Sequence, residues 1–304
     1  MKRLLILALL AVTFALLTAS CSSDSDDGTD DATATEPSGA TGDITAIAGN
    51  SDLAVGPNRF AFALTDNEDQ NRPVVEAADT SVRVQLFFGE ELKLESDATF
   101  VWAIPDVVGF WTANVDLDVA GEWRAEATLT RGGEESVAAL PFLVQAESPV
   151  PNVGDAAPPT DNLTFASEPN TKRVTTDPEP EPALYEMTVT EALEDGKPFV
   201  VVFATPAFCQ TRFCGPVVDI VKDVREQFAD QVNFIHIEPF ELDADGQLVV
   251  DEQNQPVAAA PTVAWNLATE PWVFVVGADG AIAKRFEGAA SVAELSQALE
   301  AVLG

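Results

Sequence analysis

Apolar residues alternate with small or polar ones in several runs: Phe60, Phe62 and Leu64; Val82, Val84 and Leu86; Trp111, Ala113, Val115 and Leu117; Trp123, Ala125, Ala127 and Leu129. A period of two sends one face of each run into a core and the other to solvent, which predicts antiparallel, half-buried strands. Gly132-Gly133 marks a tight turn between two of them. Residues 45–146 are therefore read as one all-β domain, most simply a sandwich. It contains no cysteine and no visible catalytic constellation, and Trp102, Trp111 and Trp123 are read as packing residues.

Past residue 183 the period changes. Phe199 to Ala204 is a continuous apolar run rich in β-branched and aromatic residues, as in a strand buried on both faces. Val217, Val218, Ile220, Val221, Val224 and Phe228 then recur at helical spacing behind Pro216, a residue suited to a helix's first turn. Val232–Ile237, Trp272–Val276 and Ile282–Phe286 read as further strands, the last two joined by a turn at Ala278-Asp279-Gly280. A short helix is expected over Thr188–Leu193. Ser291 with Glu294 forms a capping box for a final helix through Leu303. The order over 183–304 predicts an α/β domain. Between the two domains, residues 147–182 are rich in Pro, Asp, Glu and Thr, and Pro178-Glu179-Pro180-Glu181-Pro182 predicts extended, stiff chain. This stretch is read as a linker, or as an arm of the second domain.

The N-terminus has another purpose. Lys2 and Arg3 precede an apolar segment from Leu4 to Leu17, followed by Thr18-Ala19-Ser20 and Cys21. The segment is short for a membrane span and has the layout of a secretory signal. Small residues ending directly in cysteine resemble a bacterial lipoprotein signal, although Thr18 stands where that pattern prefers Leu. The resemblance implies a signal peptide over residues 1–20, a lipid on Cys21, and a protein held on the extracytoplasmic side of a bacterial cell membrane. Residues 21–44 are Asp, Thr, Ser, Gly and Ala with little apolar bulk, and they are expected to form a disordered acidic stalk. The whole chain carries a net charge of −34, which argues against nucleic acid or polybasic membrane contact.

Cys209 and Cys214 follow the buried strand and precede Gly215-Pro216 and the helix. Backbone N–H groups and the helix dipole stabilise a thiolate at such a junction. In an exported protein the two are expected to be oxidised to a disulfide for at least part of their life. A separation of five residues closes if the loop brings the Cα atoms within about 7 Å. Arg212, inside the loop, is a candidate for tuning either thiolate, with Gly215 and Pro216 shaping the helix start.

Strand, cysteine pair, helix, strand, hairpin and helix together resemble the thioredoxin fold. The likeness is carried by Phe203-Ala204-Thr205-Pro206-Ala207-Phe208-Cys209, by Cys214-Gly215-Pro216, by Glu270-Pro271 leading into Trp272-Val273-Phe274-Val275, and by Asp279-Gly280 with the closing helix. Val153-Gly154-Asp155-Ala156-Ala157-Pro158 is similar to the lead-in of exported redoxins. The resemblance implies catalytic roles for Cys209 and Cys214, and a cis-proline at Pro271 that binds substrate backbone with Glu270 beside it. It implies no cofactor. Four residues separate the cysteines here and two in thioredoxins. Counted from the strand, Cys209 falls one residue beyond the family's attacking cysteine; counted from Gly-Pro, Cys214 is that cysteine and Val217 replaces its usual partner. The first domain resembles immunoglobulin-like modules in pattern only.

The expected function is thiol–disulfide exchange with protein thiols and disulfides of exported proteins, through a membrane-tethered oxidoreductase. The alternatives are a scaffold lipoprotein with a structural disulfide and a copper(I)-handling protein. Copper would need His236, the chain's one histidine, which fits a packed strand position better than a ligand. A peroxidase is disfavoured because Thr205 lies four residues before Cys209, not three. Glu241, Asp243, Asp245, Gly246, Leu248 and Glu252 nearly match a calcium loop, but a turn at Asp245-Gly246 is the simpler account. No metal site is assigned.

Overall fold

A computed structural model describes residues 43–67, 72–209 and 212–304. The signal segment, the stalk through residue 42 and Cys21 lie outside the described residues. The described residues form one compact unit built on two sheets.

The larger sheet has seven strands: β1 (Ile44–Ala48), β2 (Gly56–Asp66), β3 (Thr80–Phe88), β4 (Glu91–Ile104), β5 (Val108–Leu117), β6 (Gly121–Arg131) and β7 (Glu134–Val144). Their order is β1-β2-β5-β4-β3-β6-β7, and every neighbouring pair is antiparallel. β4 holds the sheet together. Its first half pairs with β3 as far as Val82–Ala98, and its second half, from Thr99, pairs with β5. The expected sandwich of separate sheets is thus one continuous sheet that coils until β1 meets β7, a nearly closed barrel. The physical reason is the length of β4: 14 residues run through both halves, and register shifts at Leu86/Phe87 and Trp102/Ile104 supply the extra twist. The alternating residues, among them Phe60, Phe62, Val84, Leu86, Trp111 and Trp123, fill the interior. Both buried indoles are satisfied, Trp111 donating to the Val74 carbonyl and Trp123 to that of Val119.

The smaller sheet contains β8 (Phe199–Phe203), β9 (Asn233–Ile237), β10 (Trp272–Val276) and β11 (Ile282–Glu287) in the order β11-β10-β8-β9. β8 and β9 are parallel and the other pairs antiparallel. Both faces are covered, so β8 and β10 are buried at every residue. On one face lie α2 (Cys214–Phe228) and α4 (Val292–Leu303), presenting Val217, Val221, Val224, Leu295 and Leu299. On the other lie α1 (Val189–Asp195) and Trp265, at the end of the short α3 (Ala260–Ala264). Thr188 with Glu191 and Ser291 with Glu294 form the capping boxes of α1 and α4. No helix among the described residues is long and apolar enough to cross a membrane.

Residues 147–182 pack as an arm. Val150 and Ala157 are buried in one core of the small sheet and Val174 in the other, while Ala156 bridges to Ala281 at the β10–β11 turn. The short apolar residues between the prolines allow this: each reaches a core without the chain needing a regular element.

Polar contacts fix the sheets to each other. Arg59 of β2 grips the Glu294 carboxylate at 2.7 and 3.2 Å, and Arg285 of β11 meets Asp52 at 2.7 Å. The Glu287 carboxylate accepts the backbone N–H groups of Ser51 and Asp52, both at 2.8 Å. A separate apolar cluster joins Val101, Ala103 and Phe110 of the large sheet to Ala289 and Phe213.

Candidate functional site

The cysteine pair sits where β8 gives way to α2. β8 ends at Phe203, the chain turns through Thr205 to Phe208, and Cys214 is the first residue of α2. Cys209 and Cys214 are joined by a disulfide with Cα atoms 5.9 Å apart. The two sulfurs are placed differently. Cys214 is fully buried among Val200, Val217 and Val218, whereas Cys209 is only half-buried on the loop. The Cys214 backbone N–H points at Cys209 Sγ, 3.2 Å away. An N–H at a helix start aimed at sulfur stabilises negative charge on it, which lowers the energy of a Cys209 thiolate.

The surrounding loop explains the wider spacing. Arg212 is exposed and adopts a left-handed backbone, with φ 66°. That turn brings Phe213 inward as the residue capping α2, where its ring meets Phe110. Pro216 falls within the helix's first turn, where its missing N–H costs no hydrogen bond. Gly215 is half-buried, with open space where a side chain would lie. Glu270-Pro271 is a cis peptide directly before β10; Pro271 is buried and its carbonyl accepts from Gly288 N–H at 2.9 Å. Glu270 is half-buried, and desolvation raises its carboxyl pKa.

Beneath the loop lies a buried polar chain that the sequence reading did not include. Glu238, at the end of β9, is 5 % exposed. Its Oε2 accepts from Thr176 N–H and from Thr176 Oγ1, both at 2.9 Å, and Thr176 Oγ1 accepts in turn from Ala207 N–H at 3.2 Å. The arm thus carries a link from the carboxyl to the cysteine loop. Burial pushes the Glu238 pKa up to about 7, assisted by the charge of Glu270. The signal for Glu238 was a charged residue prolonging an apolar strand, Phe234-Ile235-His236-Ile237-Glu238. Thr176 gave none, because its partner is 62 residues away.

His236 has both ring nitrogens engaged inside the same core. Nε2 faces the Ala204 carbonyl at 2.9 Å and Nδ1 faces the Tyr185 hydroxyl at 2.7 Å. A carbonyl only accepts, so Nε2 carries the proton and the tyrosine donates to Nδ1. The Thr175 hydroxyl, 3.1 Å from the Tyr185 oxygen, then donates to it. Burial lowers the His236 pKa to about 4 and raises that of Tyr185. A neutral imidazole with two occupied nitrogens has no lone pair left for copper, so His236 serves the strand and not a metal. Among the described residues no cluster of His, Cys, Asp and Glu is arranged to hold an ion. In the near-calcium loop, Asp243 Oδ1 caps its own turn by accepting from Asp245 and Gln247 N–H groups at 2.8 and 2.9 Å. The same device repeats at Asp251 with Gln253 and Gln255.

No protein-family model and no curated protein matches the chain. Among solved structures, it is similar to a thioredoxin-family thiol:disulfide interchange protein from Chlorobium tepidum TLS, at 18% identity and a TM-score of 0.30, over 50% of this chain and 99% of that one. A putative glycoside hydrolase from Bacteroides vulgatus ATCC 8482 aligns at 11% identity and a TM-score of 0.24, over 69% of this chain and 35% of that one. Likenesses this distant carry no argument about activity, which has to come from the site.

Proposed function

We propose that the chain is a membrane-tethered, extracytoplasmic thiol–disulfide oxidoreductase whose working group is the Cys209–Cys214 pair. One observation carries the reading: a disulfide joins a half-buried cysteine on the loop after β8 to the buried first residue of α2, so one cysteine is reachable and the other enclosed. Residues 183–304 are read as thioredoxin-like around it, with Pro271 and Glu270 on the substrate side. Tethering follows from Cys21 behind the Leu4–Leu17 segment.

In the reduced protein the Cys209 thiolate attacks one sulfur of a partner's disulfide. A mixed disulfide forms and the partner's other sulfur leaves as a thiolate, which takes a proton from solvent. The Cys214 thiolate then attacks Cys209 Sγ. The mixed bond breaks, the partner's second thiol is released, and the Cys209–Cys214 disulfide re-forms. Two electrons pass to the partner; run backwards, the same steps oxidise it. Cys209 is the attacking residue because a partner can reach it, and Cys214 resolves because it lies behind.

The reading is tested by the reduction potential, with the protein poised in defined thiol buffers and alkylated cysteines counted by mass spectrometry. A midpoint between about −120 and −270 mV is expected, the range of working oxidoreductases. A value below about −300 mV would mark a disulfide that only staples the loop and would end the enzymatic reading.

A further inference from the structure

A groove of about 990 Å³ opens between the second half of β4 and the outer faces of α2 and α4. It begins at Pro216, two residues beyond Cys214 on the same helix, although neither cysteine lines it. Three of its properties point to one kind of occupant.

The first is its meeting with β4. Every residue from Thr99 to Pro105 lines it, odd and even positions alike. A strand seen on its face offers alternate residues; consecutive ones are offered by an edge. The pairing agrees: the ladder with β3 ends at Val82–Ala98, and beyond it β4 pairs with β5 alone. Beyond Ala98 β4 therefore has no second strand beside it among the described residues, and a sheet edge of this kind is the template for an added strand.

The second is its apolar lining. Phe100 and Trp102, edge to face with centroids 4.9 Å apart, line it with Ile104, Pro105, Ile220 and Val292. The volume is at the top of the range for small-molecule sites, roughly 300–1,000 Å³, and suits a short stretch of chain.

The third is charge. Asp219, Asp223, Glu294 and Glu300 line the groove and no Lys or Arg does. Glu294 is answered by Arg59. Lys222 holds Asp177 at 2.8 Å and reaches Asp219 at 3.3 Å. Asp223 and Glu300 are exposed. Exposed acids of one sign along a groove attract a cationic ligand, most strongly at low ionic strength.

We propose that this groove binds an extended, apolar segment bearing Lys or Arg, contributed by the protein whose disulfide the Cys209–Cys214 pair exchanges. The segment adds as a strand to the free edge of β4, with its cations over Asp219 and Asp223. The large sheet is on this account one wall of the substrate site. The identity of the bound protein as a redox substrate rests on the oxidoreductase reading; the groove's preference does not.

The test uses the full chain and fluorescent, cysteine-free ten-residue peptides that alternate Lys with Phe and Leu, read by anisotropy at low ionic strength. The Lys peptide should bind at least about tenfold more tightly than its Glu counterpart, a difference of about 1.4 kcal/mol. Asp219→Lys/Asp223→Lys should reverse that preference. Glu134→Lys/Glu135→Lys, which changes net charge equally at the exposed start of β7, should leave it within about twofold. Methylating alternate peptide nitrogens should weaken binding to the unaltered protein at least tenfold, because the strand bonds are lost. Cys209→Ser/Cys214→Ser should bind as well as the parent, so a failed reduction potential and a failed groove read out separately. Failure of both peptides to bind, a preference that both reversals change alike, indifference to N-methylation, or a dimer of this chain occupying the groove would each overturn the proposal.

Discussion

Phe110 of β5 meets Phe213 edge to face, with ring centroids 5.5 Å apart, and Phe213 is the residue before Cys214. An aromatic side chain of the large sheet thereby holds the loop that closes the disulfide. Phe110 is 7% exposed, and Phe110→Ala should cost about 3 kcal/mol in urea unfolding. The same change should speed reduction of the disulfide by dithiothreitol severalfold, measured by alkylation and mass spectrometry. Phe110→Leu should restore most of the stability. Unchanged reduction kinetics would show that the contact supports the fold without governing the loop.

The unequal exposure of the two sulfurs predicts unequal reactivity. Cys214→Ser, which leaves Cys209 on the loop, should form a mixed disulfide with an aromatic disulfide reagent at least about tenfold faster than Cys209→Ser, in which the remaining thiol is buried. Absorbance of the released thiolate reports both rates. Equal rates would remove the assignment of Cys209 as attacker.

Glu238 and His236 make opposite demands on pH. Burial raises the Glu238 pKa from 4.5 to about 7, so between those values the folded protein keeps a proton that the unfolded chain releases, and stability falls as pH rises. Burial lowers the His236 pKa from 6.5 to about 4, so between those values the unfolded chain takes up a proton that the folded protein refuses, and stability rises with pH. Each effect amounts to roughly 3 kcal/mol at full extent, and they oppose each other over the shared window. The charge of Glu270 adds to the rise at Glu238 and that of Lys222 to the fall at His236, while Asp177 opposes the fall. Relative to the parent, Glu238→Gln should gain stability as pH rises through 4.5 to 7. Urea unfolding at a series of pH values checks this, and a difference curve with no slope would contradict it.

Asp52 and Arg285 are both nearly enclosed, with side chains 8% and 9% exposed. Asp52→Ala leaves a buried guanidinium beside the Trp272 ring without its carboxylate. The expected cost is about 3–5 kcal/mol. Because the pair ties β11 to the large sheet, fluorescence and far-ultraviolet circular dichroism should shift together to a lower urea midpoint. Separate transitions would show that the sheets unfold independently.

Gly109 has no room for a side chain, since a Cβ there would overlap the ring of Phe100. Gly109→Ala should cost about 1–3 kcal/mol and drive Phe100 toward the β4 groove. Thermal unfolding gives the first quantity, and the Lys-peptide affinity should fall with it.

The alternating runs β2, β3, β5 and β6 were legible because each buries one face, and the period states which. β4 was not. Its Glu91–Ala98 half and its Thr99–Ile104 half serve different neighbours, so its burial follows no single alternation. One continuous sheet in place of a sandwich was invisible for that reason. The junction of β8 and α2 was legible from Phe199–Phe203, Cys209, Cys214 and Pro216. The polar contacts of Glu238 with Thr176 and of His236 with Tyr185 were not, since they join residues tens of positions apart whose types announce nothing locally. The arm's role was hidden by composition: prolines and acids suggest solvated linker, and only Val150, Ala157 and Val174 betray the packing.

The arm also sets an order of events. A chain emerging N-terminus first completes β1 to β7 before any strand of the small sheet exists, and then releases residues 147–182 with nothing yet to pack against. Every strand partner of the large sheet lies within residues 44–144, whereas Val150, Ala157 and Val174 have their cores only once β8 to β11 are made. Phe110 is made before Phe213, so the cysteine loop is laid against an aromatic side chain that the chain already holds.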